Sequence, residues 1–133
     1  MSETVVLVAE DDDDILLLVT TRLERDGFEV ITARNGEDAL ALAHERRPDV
    51  AVLDIGMPKL DGLMVLQRIR EDETLSEMRV LLLTAKAQES DMQRGYGAGA
   101  DAYVHKPFSP ADLSARVREL VDAPRDYPGA AYR

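Results

Sequence analysis

The chain contains no cysteine and no long apolar run. Without cysteine it can have no disulfide bonds, no thiol nucleophile and no zinc site built from thiolates. Its first apolar run, Val5–Ala9, is too short for a signal-peptide core or a membrane span, and no basic residues precede it. These absences predict a cytoplasmic protein with no membrane segment.

Positive charge is also scarce in this chain. It has 16 lysine and arginine residues against 26 aspartate and glutamate residues, which gives a net charge of −10. This balance argues against nucleic-acid binding, because phosphate backbones attract basic surfaces. It favours an anion-rich surface, a cation site, or both. The length of 133 residues, with 45% hydrophobic and 32% charged residues, predicts one soluble globular domain.

Short apolar runs bounded by chain breakers recur along the sequence and are typical of buried strands. Strands are predicted at 5–9, 28–33, 50–54, 80–84 and 102–105. Amphipathic stretches lie between them, so that strands and helices alternate. This alternation predicts an α/β fold, with a parallel sheet covered by helices on both faces.

Capping residues mark the starts of several predicted helices. Asn35, Asp61 and Ser109 each precede a helical stretch and are good N-cap residues. The first helix is predicted at about 15–23, with a buried stripe of Ile15, Leu18, Val19 and Leu23. The other helices are predicted at 36–46, at 62–70, at 90–97 and from Pro110 onward. The helix at 90–97 contains two glycines and is expected to be short and mobile.

Polar residues stand where the predicted strands end. They are Glu10 and Asp11 after strand one, Asp54 at the end of strand three, Thr84 at the end of strand four and Lys106 after strand five. In parallel α/β sheets, ligands bind at the carboxyl ends of the strands. We therefore expect these five residues to meet in one pocket, where Asp54 gains the partners that a buried carboxylate needs.

Three carboxylates in one pocket repel one another unless a cation neutralises them. A hard divalent ion with oxygen ligands satisfies this need, and Mg²⁺ suits it best because it takes few protein carboxylates and keeps exchangeable waters. Glu10, Asp11 and Asp54 are the predicted ligands, with the backbone carbonyl of Gly56 as a further one. Mn²⁺ is a possible substitute.

A carboxylate beside a metal ion, a lysine and a hydroxyl is suited to accept a phosphoryl group. In this interpretation Asp54 is the nucleophile, Mg²⁺ and Lys106 neutralise the phosphoryl oxygens, and Thr84 donates a hydrogen bond to one of them. The product is an aspartyl phosphate on Asp54.

Simpler interpretations exist for each of these residues. The acidic run Glu10–Asp14 could merely cap the first helix, which is the favoured interpretation for Asp12, Asp13 and Asp14. Thr84 taken alone is a strand-end hydroxyl, and Lys106 taken alone is a solvated charge. Tyr103 could be an ordinary core or surface aromatic residue.

Four segments of the chain resemble those of receiver domains of two-component response regulators. They are Leu-Val-Ala-Glu-Asp-Asp (7–12), Val-Leu-Asp-Ile-Gly-Met-Pro (52–58), Leu-Leu-Thr-Ala (82–85) and Tyr-Val-His-Lys-Pro-Phe (103–108). The resemblance covers roughly 4–122. It implies a flavodoxin-like (βα)5 fold with strand order 2-1-3-4-5.

The resemblance also implies a role for each site residue. Asp54 resembles the phosphoacceptor; Glu10, Asp11 and the Gly56 carbonyl resemble the Mg²⁺ site; and Lys106, before a cis proline, resembles the phosphate-binding lysine. Thr84 and Tyr103 resemble a switch pair in which Tyr103 turns inward on phosphorylation. Gly56 offers no side chain to the phosphoryl group and Lys86 places a cation near the pocket, so the phosphate lifetime stays open.

By the same resemblance, phosphorylation remodels the face made by the fourth and fifth predicted helices and the strand between them. The donor is a histidine kinase or histidine phosphotransferase, and the output is binding of a downstream protein or phosphoryl relay. The chain catalyses only its own phosphoryl transfer and autodephosphorylation. It is expected to be a monomer, or a weak dimer through that face. Residues 123–133 are expected to form a flexible tail with no output domain, in a stand-alone receiver or one cut from a longer regulator.

Two other functions remain open from the residues alone. One is a small-molecule phosphatase or phosphotransferase of the haloacid dehalogenase type, although such enzymes need an acid two residues after the nucleophile and this chain has Gly56 there. The other is a receiver-like protein that binds its partners without phosphorylation.

Overall fold

The computed structural model of the chain describes residues 4–85 and 99–123. Within these residues it contains five strands and four helices. They are β1 (Val5–Ala9), α1 (Asp13–Arg25), β2 (Glu29–Ala33), α2 (Gly36–Arg46), β3 (Val50–Asp54), α3 (Gly62–Glu71), β4 (Arg79–Thr84), β5 (Ala102–His105) and the C-terminal helix (Pro110–Asp122). The helix predicted at 90–97, Lys86 and the tail at 124–133 lie outside the described residues.

The five strands form one parallel sheet in the order β2-β1-β3-β4-β5. This is the order that the sequence resemblance implies, and the prediction is confirmed. The order changes direction between β1 and β3, which are neighbours although β2 lies between them in sequence. A crevice forms at such a point beyond the carboxyl ends of the strands.

Helices cover both faces of the sheet, as predicted. Side chains of α1 and the C-terminal helix pack on one face, where Leu23, Val117 and alternate residues of β1 are buried. Side chains of α2 and α3 pack on the other face, around Ala39 and Leu66. Every residue of β3 is buried, which explains why its sequence is apolar without alternation.

The helix caps agree with the sequence, but the buried stripe of α1 does not. Asp12 caps α1 by accepting hydrogen bonds from the backbone amides of Asp14 and Ile15. Leu16 is buried on this helix, whereas Leu18 is 58% exposed. The prediction that Leu18 belongs to the buried stripe is therefore wrong. The run from Ile15 to Val19 is apolar at every position, so its sequence does not fix which side faces the sheet.

Arg79, the first residue of β4, connects the sheet to the end of the C-terminal helix. Its buried guanidinium donates hydrogen bonds to the carbonyl oxygens of Leu120 (2.6 Å) and Ala123 (2.7 Å). Carbonyls at a helix end lack partners within the helix, so a charged donor stabilises them well. The end of this helix is thus tied to β4.

Among the described residues, none of the helices is both long enough and apolar enough to cross a membrane.

Candidate functional site

The sheet brings the predicted site residues together at the carboxyl ends of its strands. Ala9 pairs with Leu53 in the register between β1 and β3. Glu10, which follows β1, and Asp54, which ends β3, are the next residues along each chain segment and lie close together. One carboxylate oxygen from each of Glu10, Asp11 and Asp54 lies within 4.8 Å of the other two. Glu10 and Asp54 are buried, and Asp11 is exposed.

Glu10 is the most buried acid of this cluster, with 1% of its surface exposed. Its Oε2 accepts a hydrogen bond from the backbone amide of Asp12 (3.1 Å), and its Oε1 lies 2.9 Å from Nζ of Lys106. Burial raises the pKa of Glu10 to about 7; the hydrogen bonds from Lys106 and Asp12 oppose this rise, and the charge of Asp54 adds to it.

Asp54 ends β3 and is 5% exposed. Its Oδ1 accepts a hydrogen bond from the backbone amide of Gly56 (3.2 Å) and lies 3.3 Å from Nζ of Lys106. The carboxylate therefore has a cation and a backbone donor at Oδ1 and two further acids close by.

Lys106 supplies the positive charge of the site. Its amide donates a hydrogen bond to the carbonyl oxygen of Thr84 (2.7 Å), which fixes its backbone to the end of β4, and its bond to Pro107 is cis as expected. Burial by itself would lower the pKa of the amine, but the carboxylates of Glu10 and Asp54 outweigh burial and raise it. The side chain is thus held as an ammonium ion between two carboxylates.

The acidic cluster fits a hard divalent cation. Carboxylate oxygens are the ligands that Mg²⁺ and Mn²⁺ accept, and three of them converge here. The raised pKa of Glu10 shows how costly its negative charge is when Lys106 is its main neighbouring cation. A second cation at this point would remove that cost.

Thr84 and Tyr103 stand on the neighbouring strands. Thr84 is 1% exposed and donates its hydroxyl hydrogen to the carbonyl oxygen of Ala85 (3.2 Å), so it lies beside the cluster without an observed bond to it. Tyr103 is 6% exposed, with its ring centroid 5.8 Å from that of His105. The side chain of Tyr103 is therefore buried, and its movement on phosphorylation stays a prediction.

An apolar groove of about 440 Å³ opens next to the acidic cluster. It lies between α1 and the start of the C-terminal helix, and Lys106 belongs both to its wall and to the cluster. Its apolar lining includes Ile15, Leu18, Pro107 and Phe108. The exposed side chain of Leu18 on α1 thus lines this groove.

Sequence reasoning missed the backbone groups that hold the acids in place. The amide of Glu10 donates a hydrogen bond to the carbonyl oxygen of Ala33 (3.0 Å), at the end of β2. The amide of Asp12 binds the Glu10 carboxylate, although the sequence suggested only a capping role for Asp12. Backbone groups are the same in every residue, so no sequence signal identifies these contacts.

If the acidic cluster binds Mg²⁺, as the sequence predicts, binding should depend on pH, because Glu10 would have to be ionised to act as a ligand. Below a pKa of about 7 a metal ion must displace the proton of Glu10, whereas above it the ligand is already charged. The apparent affinity should therefore fall as the pH decreases from about 8 to about 6, approaching about tenfold per pH unit at the acidic end. Isothermal titration calorimetry in buffers of different ionisation enthalpy measures both the affinity and the proton released.

The matched control for this prediction is Glu10→Gln, which keeps the shape of the side chain and cannot titrate. Its weaker affinity for Mg²⁺ should change little over the same pH range, and an equal slope in both proteins would contradict the assignment to Glu10.

The raised pKa of Glu10 also affects the stability of the protein without metal. Because the pKa of Glu10 is about 7 in the fold and 4.5 normally, the stability it contributes is lost as the pH rises from 4.5 through about 7.

Comparison with known proteins agrees with the sequence resemblance. The sequence model of one protein family, described as "Response regulator receiver domain", matches residues 6–118. The alkaline phosphatase synthesis transcriptional regulatory protein PhoP of Bacillus subtilis (strain 168) is 43% identical over 116 residues, which are 87% of this chain and 48% of PhoP. The DNA-binding dual master transcriptional regulator RpaA of Synechocystis is 41% identical over 126 residues, 95% of this chain and 52% of RpaA. The chain thus spans about half the length of these relatives.

A solved structure shows the same architecture. The response regulator receiver domain protein (CheY-like) from Methanospirillum hungatei JF-1 superimposes with a TM-score of 0.85 at 30% sequence identity. The superposition covers 91% of this chain and 95% of that protein. The similarity therefore extends over most of both chains.

Proposed function

This chain belongs to the family of response regulator receiver domains, and on that premise we propose that phosphorylation of Asp54 switches it. Phosphorylation-dependent switching is the general function of the family. The proposed receiver domain comprises residues 4–122 and catalyses only its own phosphorylation and autodephosphorylation. Its proposed location is the cytoplasm.

The arrangement around Asp54 is the observation that carries this proposal. A buried carboxylate lies 3.3 Å from an ammonium ion, accepts a backbone hydrogen bond, and has two further acids within reach of one metal ion. In the proposed reaction an Asp54 oxygen attacks phosphorus, and the bond from phosphorus to the donor breaks. Lys106 would neutralise a phosphoryl oxygen, and Thr84 would donate a hydrogen bond to another.

The proposed metal ligands are Glu10, Asp11, Asp54 and the backbone carbonyl of Gly56. A bound Mg²⁺ or Mn²⁺ neutralises charge on the carboxylates and on the phosphoryl group, as divalent ions do in phosphoryl transfer generally. Of the three acids that would hold the ion, Glu10 and Asp54 are buried and Asp11 is exposed.

The proposed partners are a phosphodonor and a downstream protein. The donor would be a histidine kinase or histidine phosphotransferase, and the apolar groove beside Lys106 is a suitable surface for it because Lys106 lines the groove and also touches Asp54. Thr84 and Tyr103 are the proposed switch pair. Their movement on phosphorylation would change the surface around β5, where the downstream protein or a second receiver would bind.

Intact-mass measurement after treatment with acetyl phosphate tests the phosphorylation proposal. With Mg²⁺ we expect the mass to increase by one phosphoryl group, and with a chelator we expect almost no increase, because the acids then repel the incoming phosphoryl group. Equal labelling in both conditions would contradict the metal site, and the absence of any labelling would contradict the phosphoacceptor. Recovery of partner proteins with and without beryllium fluoride then separates a switch from binding that is independent of phosphorylation.

A further inference from the structure

The segment 33–37, from the last residue of β2 to the first turn of α2, touches both loops that carry proposed metal ligands. The carbonyl oxygen of Ala33 accepts the hydrogen bond from the amide of Glu10 (3.0 Å). The amide of Gly36 donates a hydrogen bond to the carbonyl oxygen of Pro58 (3.3 Å), in the loop that follows Asp54. This entry segment of α2 thus bridges the two sides of the metal site through backbone contacts.

Gly36 lies against this loop with no room for a side chain. A Cβ atom at position 36 would overlap the carbonyl oxygen of Leu60 and would lie 2.6 Å from its carbonyl carbon. The clash is with backbone, so rotation of a side chain cannot relieve it, and either the loop or the start of α2 would have to move. The start of α2 can therefore lie this close to the loop only because residue 36 has no side chain.

The loop between Asp54 and α3 has little freedom to absorb such a movement elsewhere. At its start the amide of Ile55 donates to the carbonyl oxygen of Leu83 (2.9 Å), and at its end the amide of Gly62 donates to that of Ile55 (3.1 Å). The start of the loop is thus fixed to β4 and its end is hydrogen-bonded back to Ile55, so residues 56–60 form the part that can shift. Gly56, the proposed carbonyl ligand, lies within that part.

The start of α2 is equally well fixed. Asn35 caps the helix by accepting a hydrogen bond from the amide of Asp38 (2.8 Å), and Ala39 and Ala43 are fully buried against the sheet. Moving this helix away from the loop would cost free energy, because it would open a cavity in a packed core. A side chain at position 36 would therefore displace mainly the loop.

We propose that Gly36 is a positioning residue for metal binding: its missing side chain lets α2 hold the loop at the position where the carbonyl of Gly56 completes the ligand set of Glu10, Asp11 and Asp54. This inference rests on the proposed function of that set. Gly36 is not itself one of the proposed metal ligands. It acts through the loop that contacts α2.

The test compares Gly36→Ala with wild type by titrating Mg²⁺ into the unphosphorylated protein, followed by calorimetry. We expect the dissociation constant to rise by about tenfold, the size of effect seen when groups that support metal ligands are changed. In labelling by acetyl phosphate, the Mg²⁺ concentration at half-maximal rate should rise by the same factor, while the rate at saturating Mg²⁺ changes much less. A general loss of structure would not produce that split.

Gly27→Ala is the matched control. Gly27 follows α1 with φ of +99° and has no atom within 4 Å of an added Cβ, so alanine there strains the backbone without touching the loop. It should lower thermal stability and leave the Mg²⁺ dissociation constant unchanged. If Gly36→Ala does not fold, Asn35→Ala loosens the same turn without a clash and should raise the constant in the same direction by a smaller factor.

The possible outcomes separate the two proposals. If wild type binds Mg²⁺ and the folded Gly36→Ala protein binds it equally tightly, the positioning role is overturned and the metal site stands. The positioning role is likewise overturned if only Asn35→Ala folds and its affinity equals that of wild type. If wild type binds no Mg²⁺, the proposed metal site itself is overturned.

Discussion

Replacement of Asp54 by asparagine is expected to abolish phosphorylation by acetyl phosphate. The carboxamide has no negatively charged oxygen to attack phosphorus, and it is a weaker ligand for a hard cation, so labelling should fall by at least about a thousandfold. The fold should survive, because the substitution removes a charge that repels the buried Glu10. A time course of intact mass at saturating Mg²⁺ measures the labelling rate, and circular dichroism confirms that the protein is folded.

Asp61→Asn is the matched control for this experiment. Asp61 lies in the same loop region but caps α3, where its side chain accepts a hydrogen bond from the amide of Met64 (2.9 Å). Asparagine caps helices as well as aspartate does, so labelling and stability should stay at wild-type values. If Asp54→Asn were labelled as fast as this control, another residue would have to be the phosphoacceptor.

Replacement of Lys106 by alanine should change two measurements in opposite directions. The labelling rate at saturating Mg²⁺ should fall by about a hundredfold, because a positioned cation no longer stabilises charge on the phosphoryl oxygens. The affinity for Mg²⁺ should rise, because the ammonium group no longer lies 2.9 Å from Glu10 and 3.3 Å from Asp54. Calorimetry measures the affinity and intact mass measures the rate.

The combination distinguishes a chemical role of Lys106 from a merely structural one. Damage to the fold would lower the rate and the affinity together, whereas the proposed role lowers the first and raises the second. Arg68→Ala removes an exposed cation from the last turns of α3 and should alter neither measurement. A Lys106→Ala protein with the labelling rate of wild type would refute the proposed contact with the phosphoryl group.

Much of the fold could be predicted because its strands are short, apolar and clearly bounded. β1, β3 and β5 have the predicted limits, and β2 and β4 differ from prediction by one residue at their starts. Asn35, Asp61 and Ser109 cap helices as their side chains indicate. The buried side of α1 was predicted wrongly because its apolar run covers more than one face, and only packing against the sheet selects Leu16 over Leu18.

The candidate site could be predicted because parallel strands end at one edge of a sheet. That rule places Glu10, Asp11, Asp54 and Lys106 together from their positions in the sequence, and the structure brings these four residues into one cluster. The contact between Gly36 and Leu60 could not be predicted in this way. It depends on how closely a helix approaches a loop, and this distance results from the packing of the whole domain.

The bond between Arg79 and the C-terminal helix has a mechanical consequence. β4 begins at Arg79 and ends at Thr84, and its 6 residues form an extended strand roughly 20 Å long. Arg79 donates hydrogen bonds to the carbonyl oxygens of Leu120 and Ala123, so the end of the C-terminal helix is fixed relative to β4. Any segment that follows Ala123 therefore takes its starting position from the strand that ends beside Asp54.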